Sequence, residues 1–311
     1  MGAANRFEGA GSTPAECRVR APVRGGSLEL HELAPGELPL VLALHGITAN
    51  ALSWGAVASA VAGRARVVAP DLRGRAGSRS VTGPWGLGAH ADDVLAVLDH
   101  LGVGRAVLVG HSMGAFVAAL AAARHPDRVS GVLLVDGGFA FPPPAGVDGD
   151  ELLHAVLGPA MARLSMTFGS GEEYLAFWAQ HPAVGPALEG PAADVLRGYL
   201  LHDLVGDGAG AFRSSCVVEA VRTDGLGVLA DAETQGAARA ASQPTTLLWA
   251  QRGLMDEPQG LYDEVRLAAL DLPSRVRVVG VADANHYDVL LAPAAVAVLA
   301  EELLALVERA R

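Results

Sequence analysis

The chain has 311 residues, is 51% hydrophobic and carries a net charge of −11. That acidic balance excludes the basic face a nucleic-acid partner requires. All 23 basic residues are arginine, which excludes lysine Schiff-base chemistry and a P-loop lysine.

The first residues, through Arg18, are small and polar. Residues 1–15 read as a disordered tail, and the absence of an apolar h-region argues against a signal peptide. No uncharged apolar run is long enough to span a membrane. The two cysteines, Cys17 and Cys216, form no Cys-x-x-Cys pair and read as thiols of a reducing compartment. The expected location is the cytoplasm, with no membrane partner; homodimerisation is left open.

"CRVRAP" and "GSLELHEL" alternate polar and apolar residues around a Gly-Gly pair, the pattern of a hairpin. "LPLVLALHG" is a continuous apolar run, as in a strand buried on both faces. A helix ending at Gly63, the strand "ARVVAPDLRG" and the helix "GAHADDVLAVLDHLG" follow. Then come the strand "RAVLVGHS", the helix "MGAFVAALAAARHP" and the strand "VSGVLLVDGG". This alternation predicts an α/β fold with a doubly wound, mostly parallel sheet. From Phe139 to Ser242 only helical patterns stand out. "PTTLLWAQRG" and "SRVRVVGVAD" then resume the strands, and an amphipathic helix closes the chain. The expected organisation is a core of residues 16–138 and 243–311 with a helical cap at 139–242.

Gly-His-Ser-Met-Gly at 110–114 sits between a buried strand and a helix of small residues. A sharp strand-to-helix turn there lifts the Ser112 hydroxyl above the sheet as a nucleophile. Such a hydroxyl needs a base and an orienting carboxylate. His286 in "DANHYDVLL" lies after the last strand, where ligands meet a parallel sheet. For the acid, Asp256 in "RGLMDEP" is the first candidate and Asp136 in "LLVDGG" the second, with Glu257 behind them. The backbone N–H groups of Met113 and Ile47 are expected to form the oxyanion hole. His111 beside the serine reads as a bystander. The cap is aromatic and methionine-rich with few charges, so the expected pocket is apolar. It is assigned to Phe139, Met161, Phe177 and Trp178, with Trp54 and Tyr287. No His-Glu-x-x-His and no Gly-x-Gly-x-x-Gly after a strand occurs, so neither metal nor cofactor is expected.

Leu-His-Gly at 44–46, Ser-Trp at 53–54, Asp-Leu-Arg-Gly at 71–74, Gly-His-Ser-Met-Gly and Asn-His at 285–286 together resemble an α/β-hydrolase with a cap. The resemblance implies that Arg73 fixes its loop by hydrogen bonds. It also implies a hydrolase acting through an acyl-enzyme, with a small apolar ester or lactone as the expected substrate. Other chemistries stay open under the same resemblance: C–C bond hydrolysis, cofactor-free oxygenation, and a non-catalytic ligand-binding homologue.

Overall fold

The computed structural model describes residues 19–37, 39–141, 153 and 160–310. The expected tail at 1–15 lies outside these residues. Strands β1 (Val19–Val23) and β2 (Gly26–Ala34) form the predicted hairpin. β3 (Leu40–Leu44) is buried at every position, as expected of a strand covered on both faces. A short 3₁₀ turn leads into helix α1 (Gly55–Val61), followed by β4 (Arg66–Pro70) and α2 (Leu87–His100). β5 (Ala106–His111), α3 (Met113–Arg124) and β6 (Val129–Val135) complete the first half.

The cap region contributes α4 (Gly171–Ala179), α5 (Ala193–His202), β7 (Leu204–Gly206), β8 (Phe212–Ser214), α6 (Val218–Ala230) and α7 (Ala232–Ala240). β9 (Thr245–Ala250), α8 (Glu264–Ala269), β10 (Val276–Val281), α9 (Asp288–Leu291) and α10 (Pro293–Arg309) close the fold. The main sheet has eight strands in the order β1-β2-β4-β3-β5-β6-β9-β10. β1, β2 and β4 pair antiparallel, and every pairing from β4 to β10 is parallel. Helices cover both faces, and two apolar clusters, one per face, form the core.

One correction concerns the cap. It is not wholly helical, because β7 and β8 pair antiparallel within it. These strands are three residues long and only half buried, so they leave no alternating pattern long enough to read. Helix α7 also packs against α3, and its Ala237 and Ala238 join the sheet's own apolar cluster. The chain therefore returns to the core before residue 243. Among the described residues no helix is long and apolar enough to cross a membrane.

Candidate active site

The Ser112 turn is built from close backbone approach. Ser112 has φ 54° and ψ −121°, a left-handed conformation that costs energy for a residue with a side chain. A Cβ on Gly110 would lie 2.1 Å from the Gly114 carbonyl oxygen, and one on Gly114 would lie 2.1 Å from that of Leu44. Both glycines are thus required by contact. The Ser112 N–H donates to the Val135 carbonyl at 2.9 Å, tying the turn to the end of β6. Gly137 packs on the other side, where a Cβ would meet the Ser112 carbonyl oxygen at 2.4 Å.

His286 follows β10 in a loop shaped by Asn285. The Asn285 Oδ1 accepts from the N–H groups of Tyr287 and Asp288 at 2.9 and 3.0 Å. The His286 ring is buried, and its Nδ1 donates to Asp136 Oδ2 at 2.6 Å. A carboxylate only accepts, so the proton sits on Nδ1 and Nε2 is left as the basic nitrogen. The other Asp136 oxygen accepts from the Ala250 N–H at 3.1 Å. Asp136 has φ 45°, a region Asp tolerates better than most residues.

Asp256 is the acid expected first, but the carboxylate bonded to the His286 ring is that of Asp136. Asp256 makes a two-pronged ion pair with Arg252 (2.7 and 2.8 Å) and only touches Asn285, at 3.3 Å. Adjacent parallel strands decide this. β6 lies next to β5, the strand that leads into the Ser112 turn, so Asp136, just past the end of β6, reaches the same crevice as Ser112. Asp256 is carried six residues past the end of β9 and stays at the rim, a third exposed. Glu257 is likewise occupied locally, accepting from the Met255 N–H.

Ser112, His286 and Ile47 line one cleft with about 700 Å³ of empty space, part of it open to solvent. Its walls are mostly apolar. Trp178 and Tyr287 line it as expected, and Ala160, Tyr199, Leu254 and Leu290 are further wall residues. Four expected wall residues do not line it. Trp54 and Phe139 are fully buried in the two core clusters. Phe177 stacks edge-on against Phe168 and Trp178, and Met161 packs on the small cluster of Leu164, Cys216 and Val221. The cap needs an apolar core of its own, and composition does not separate core from wall.

Several polar residues around the cleft have defined tasks. His111 is no bystander: its Nε2–H donates to the His286 carbonyl at 2.8 Å, and the two rings lie 4.4 Å apart. Burial, and then the neighbouring His286, push its pKa well below 6.5. His45 donates from Nδ1 to the Gly46 carbonyl at 2.8 Å and accepts the Leu72 N–H on Nε2 at 2.9 Å. Burial lowers its pKa to about 3, against the raising effect of the Gly46 bond. It is a fixed neutral bridge that shapes the loop after β3.

Arg75 touches both expected oxyanion residues. Its Nε donates to the Ile47 carbonyl at 2.9 Å, and its Nη2 lies 4.0 Å from the Met113 sulfur. The guanidinium is fully buried and paired with Asp224 at 2.5 Å; Asp224 also receives His90 at 2.9 Å. Nothing in the sequence marked this arginine, because its partner stands 149 residues away. Arg73 has the structural role the resemblance implied: it grips Asp93 with two bonds of 2.7 and 2.5 Å.

A family model described as "alpha/beta hydrolase fold" matches residues 39–293. The chain belongs to the alpha/beta hydrolases. Among curated relatives of this chain, lipase LipV of Mycobacterium tuberculosis is 32% identical over 152 residues, 46% of this chain and 55% of that protein. The 2-(acetamidomethylene)succinate hydrolase of Mesorhizobium japonicum is 34% identical over 111 residues, 36% of this chain and 40% of that protein. The matched part thus spans about half or less of these relatives' own length. Among solved structures, the hypothetical protein PA1622 of Pseudomonas aeruginosa PAO1 superposes with a TM-score of 0.72 at 26% identity, covering 96% of this chain and 100% of that one. The enol-lactonase of Burkholderia xenovorans LB400 gives 0.66 at 20% identity over 92% and 100%, a likeness of fold alone.

Proposed function

We propose that this alpha/beta hydrolase cleaves a carboxylic ester or lactone bearing an apolar group, with Ser112, His286 and Asp136 as its triad. The observation that carries the reading is the buried His286–Asp136 bond of 2.6 Å, with His286 lining the same cleft as Ser112. In the proposed reaction His286 Nε2 takes the hydroxyl proton as Ser112 Oγ attacks the carbonyl carbon. The backbone N–H groups of Met113 and Ile47 take the negative oxygen. His286 then protonates the leaving alcohol, and water repeats the sequence on the acyl-enzyme. In a lactone the freed alcohol stays attached to the acyl group throughout, so the second step releases a single hydroxy acid.

The cleft supports an apolar substrate. Among its described wall residues there is no arginine and no carboxylate; beside Ser112 and the two histidines its polar side chains are the hydroxyls of Ser53, Thr48, Tyr199 and Tyr287 and the indole of Trp178. A doubly charged succinate derivative, such as the one named for the Mesorhizobium relative, would find no cation there. The lipase of Mycobacterium tuberculosis among the similar proteins fits the ester class.

The test is labelling with a fluorophosphonate, followed by rates on a panel of p-nitrophenyl esters, lactones and vinylogous diketones. Labelling lost in Ser112→Ala, with turnover highest on uncharged esters or lactones, supports the reading. Labelling with turnover only on the diketones assigns C–C cleavage instead, and no labelling at all rejects the nucleophile.

A further inference from the structure

Four side chains of metal-ligating types converge where the cap meets the sheet. Glu29 and His31 stand two apart on β2, so both point to one face of the strand. Asp71 lies just past the end of β4, the neighbouring strand. His202 is the last residue of cap helix α5. One donor atom from each lies within 4.8 Å of every other. The His31 Nε2 is 3.2 Å from Asp71 Oδ2 and 3.7 Å from Glu29 Oε1, and the His202 Nε2 is 2.8 Å from the same Asp71 oxygen. Four ligands at about 2.0–2.1 Å from a tetrahedral zinc stand about 3.3 Å apart. The three separations bracket that value.

We propose that Glu29, His31, Asp71 and His202 form a divalent-cation site of the zinc class that ties cap helix α5 to the central sheet. Three of the four residues are buried, and the His202 side chain keeps 15% exposure, so an ion enters along the seam between cap and core. Two carboxylates held together below the surface call for compensating positive charge. Arg20 supplies one charge to Glu29 Oε2 at 3.0 Å from a half-exposed position.

The surroundings are arranged to hold the donors in place, as outer partners of metal ligands do. The Asp71 Oδ1 accepts from the Ala51 N–H at 2.9 Å and Oδ2 from the Gly77 N–H at 3.0 Å. The Glu29 N–H donates to Ser78 Oγ at 2.9 Å. Gly77 has no side chain where one would collide with the Glu29 carboxylate, since a Cβ would lie 2.5 Å from its Cδ. The donor set, two nitrogens and two oxygens, suits zinc, cobalt or nickel better than calcium or magnesium. Sequence spacing does not show it, because the ligands run from residue 29 to residue 202. The site also has a consequence for the cleft: Tyr199 stands one turn before His202 on α5 and lines the cleft wall. An ion at His202 would fix that wall.

The experiment uses the full chain stripped with a chelator and then titrated with Zn²⁺ or Co²⁺. Expected are about one metal per chain, a visible absorption band of tetrahedral cobalt, and a rise in Tm of about 5 °C at saturating zinc. His202→Gln, at the partly exposed ligand, should remove all three while leaving the far-UV spectrum intact. His31→Gln is the companion variant, and if it fails to fold, His202→Gln alone decides. Absence of binding by the native chain overturns the proposal and leaves the cluster as a hydrogen-bonded knot around Asp71. Binding that survives in His202→Gln overturns it equally.

Discussion

If the proposed triad holds, replacing Asp136 by Asn should cost this alpha/beta hydrolase about three to four orders of magnitude in kcat. The imidazolium that forms at His286 sits 2.6 Å from the Asp136 oxygen, with both groups buried. At an effective dielectric of about 20 a unit pair at that distance is worth about 6 kcal/mol. Asparagine returns part of this by keeping a hydrogen bond, so a loss of about 4–5 kcal/mol, or 10³–10⁴ in rate, is expected. An Asn amide turned toward Nδ1 would also force the proton onto Nε2, leaving no base facing the serine. The backbone should tolerate the change, since Asn accepts a φ of 45° as readily as Asp. The control is Asp256→Asn, which loses an ion pair at a one-third exposed site, worth at most about 1 kcal/mol. Initial rates on an uncharged p-nitrophenyl ester, with circular dichroism to confirm folding, decide between the two. A folded Asp136→Asn that keeps more than a tenth of wild-type kcat would refute the assignment. So would an Asp256→Asn variant as damaged as Asp136→Asn.

Other consequences are as specific. Asp224→Asn leaves the buried Arg75 guanidinium without its carboxylate, so a stability loss of about 3–5 kcal/mol is expected. The Ile47 loop loosens with it, and kcat should drop more than KM rises; an unchanged urea midpoint would count against this. Gly137→Ala pushes a methyl to 2.4 Å from the Ser112 carbonyl; about 1–3 kcal/mol of strain and a large loss of fluorophosphonate labelling should follow, whereas full labelling would show the turn to be more yielding than drawn. His111→Leu removes the donor to the His286 carbonyl and should lower kcat with KM little changed, while His111→Gln retains a donor and should recover part of the rate. Stability should also fall with acid: His45 titrates at about 3 in the folded chain against 6.5 when free, and His111 shifts the same way. Below pH 6.5 the unfolded chain therefore binds more protons. The contribution of His45 is complete above 6.5 and declines toward pH 3, by at most about 1.4 kcal/mol per pH unit. A urea midpoint at pH 5 equal to that at pH 7 would contradict this.

The sequence by itself determined the order of strands and helices in the core, the turn that carries Ser112 and the loop that carries His286. Those features are local. A run such as Leu40–Leu44 has one way to bury itself on both faces, and Gly110 and Gly114 flank a turn that no larger residues would permit. What only the tertiary structure decided are choices among residues of the same type. Asp136 and Asp256 both follow a strand, and strand adjacency brought the first to His286 while Arg252 held the second at the rim. Trp54 and Trp178 have the same chemistry and join the same apolar cluster, yet only Trp178 also reaches the cleft. Arg75 meets Asp224, and His31 meets His202, across more than a hundred residues of chain. Periodicity tells which residues leave water; only the packing of distant elements tells which of them meet.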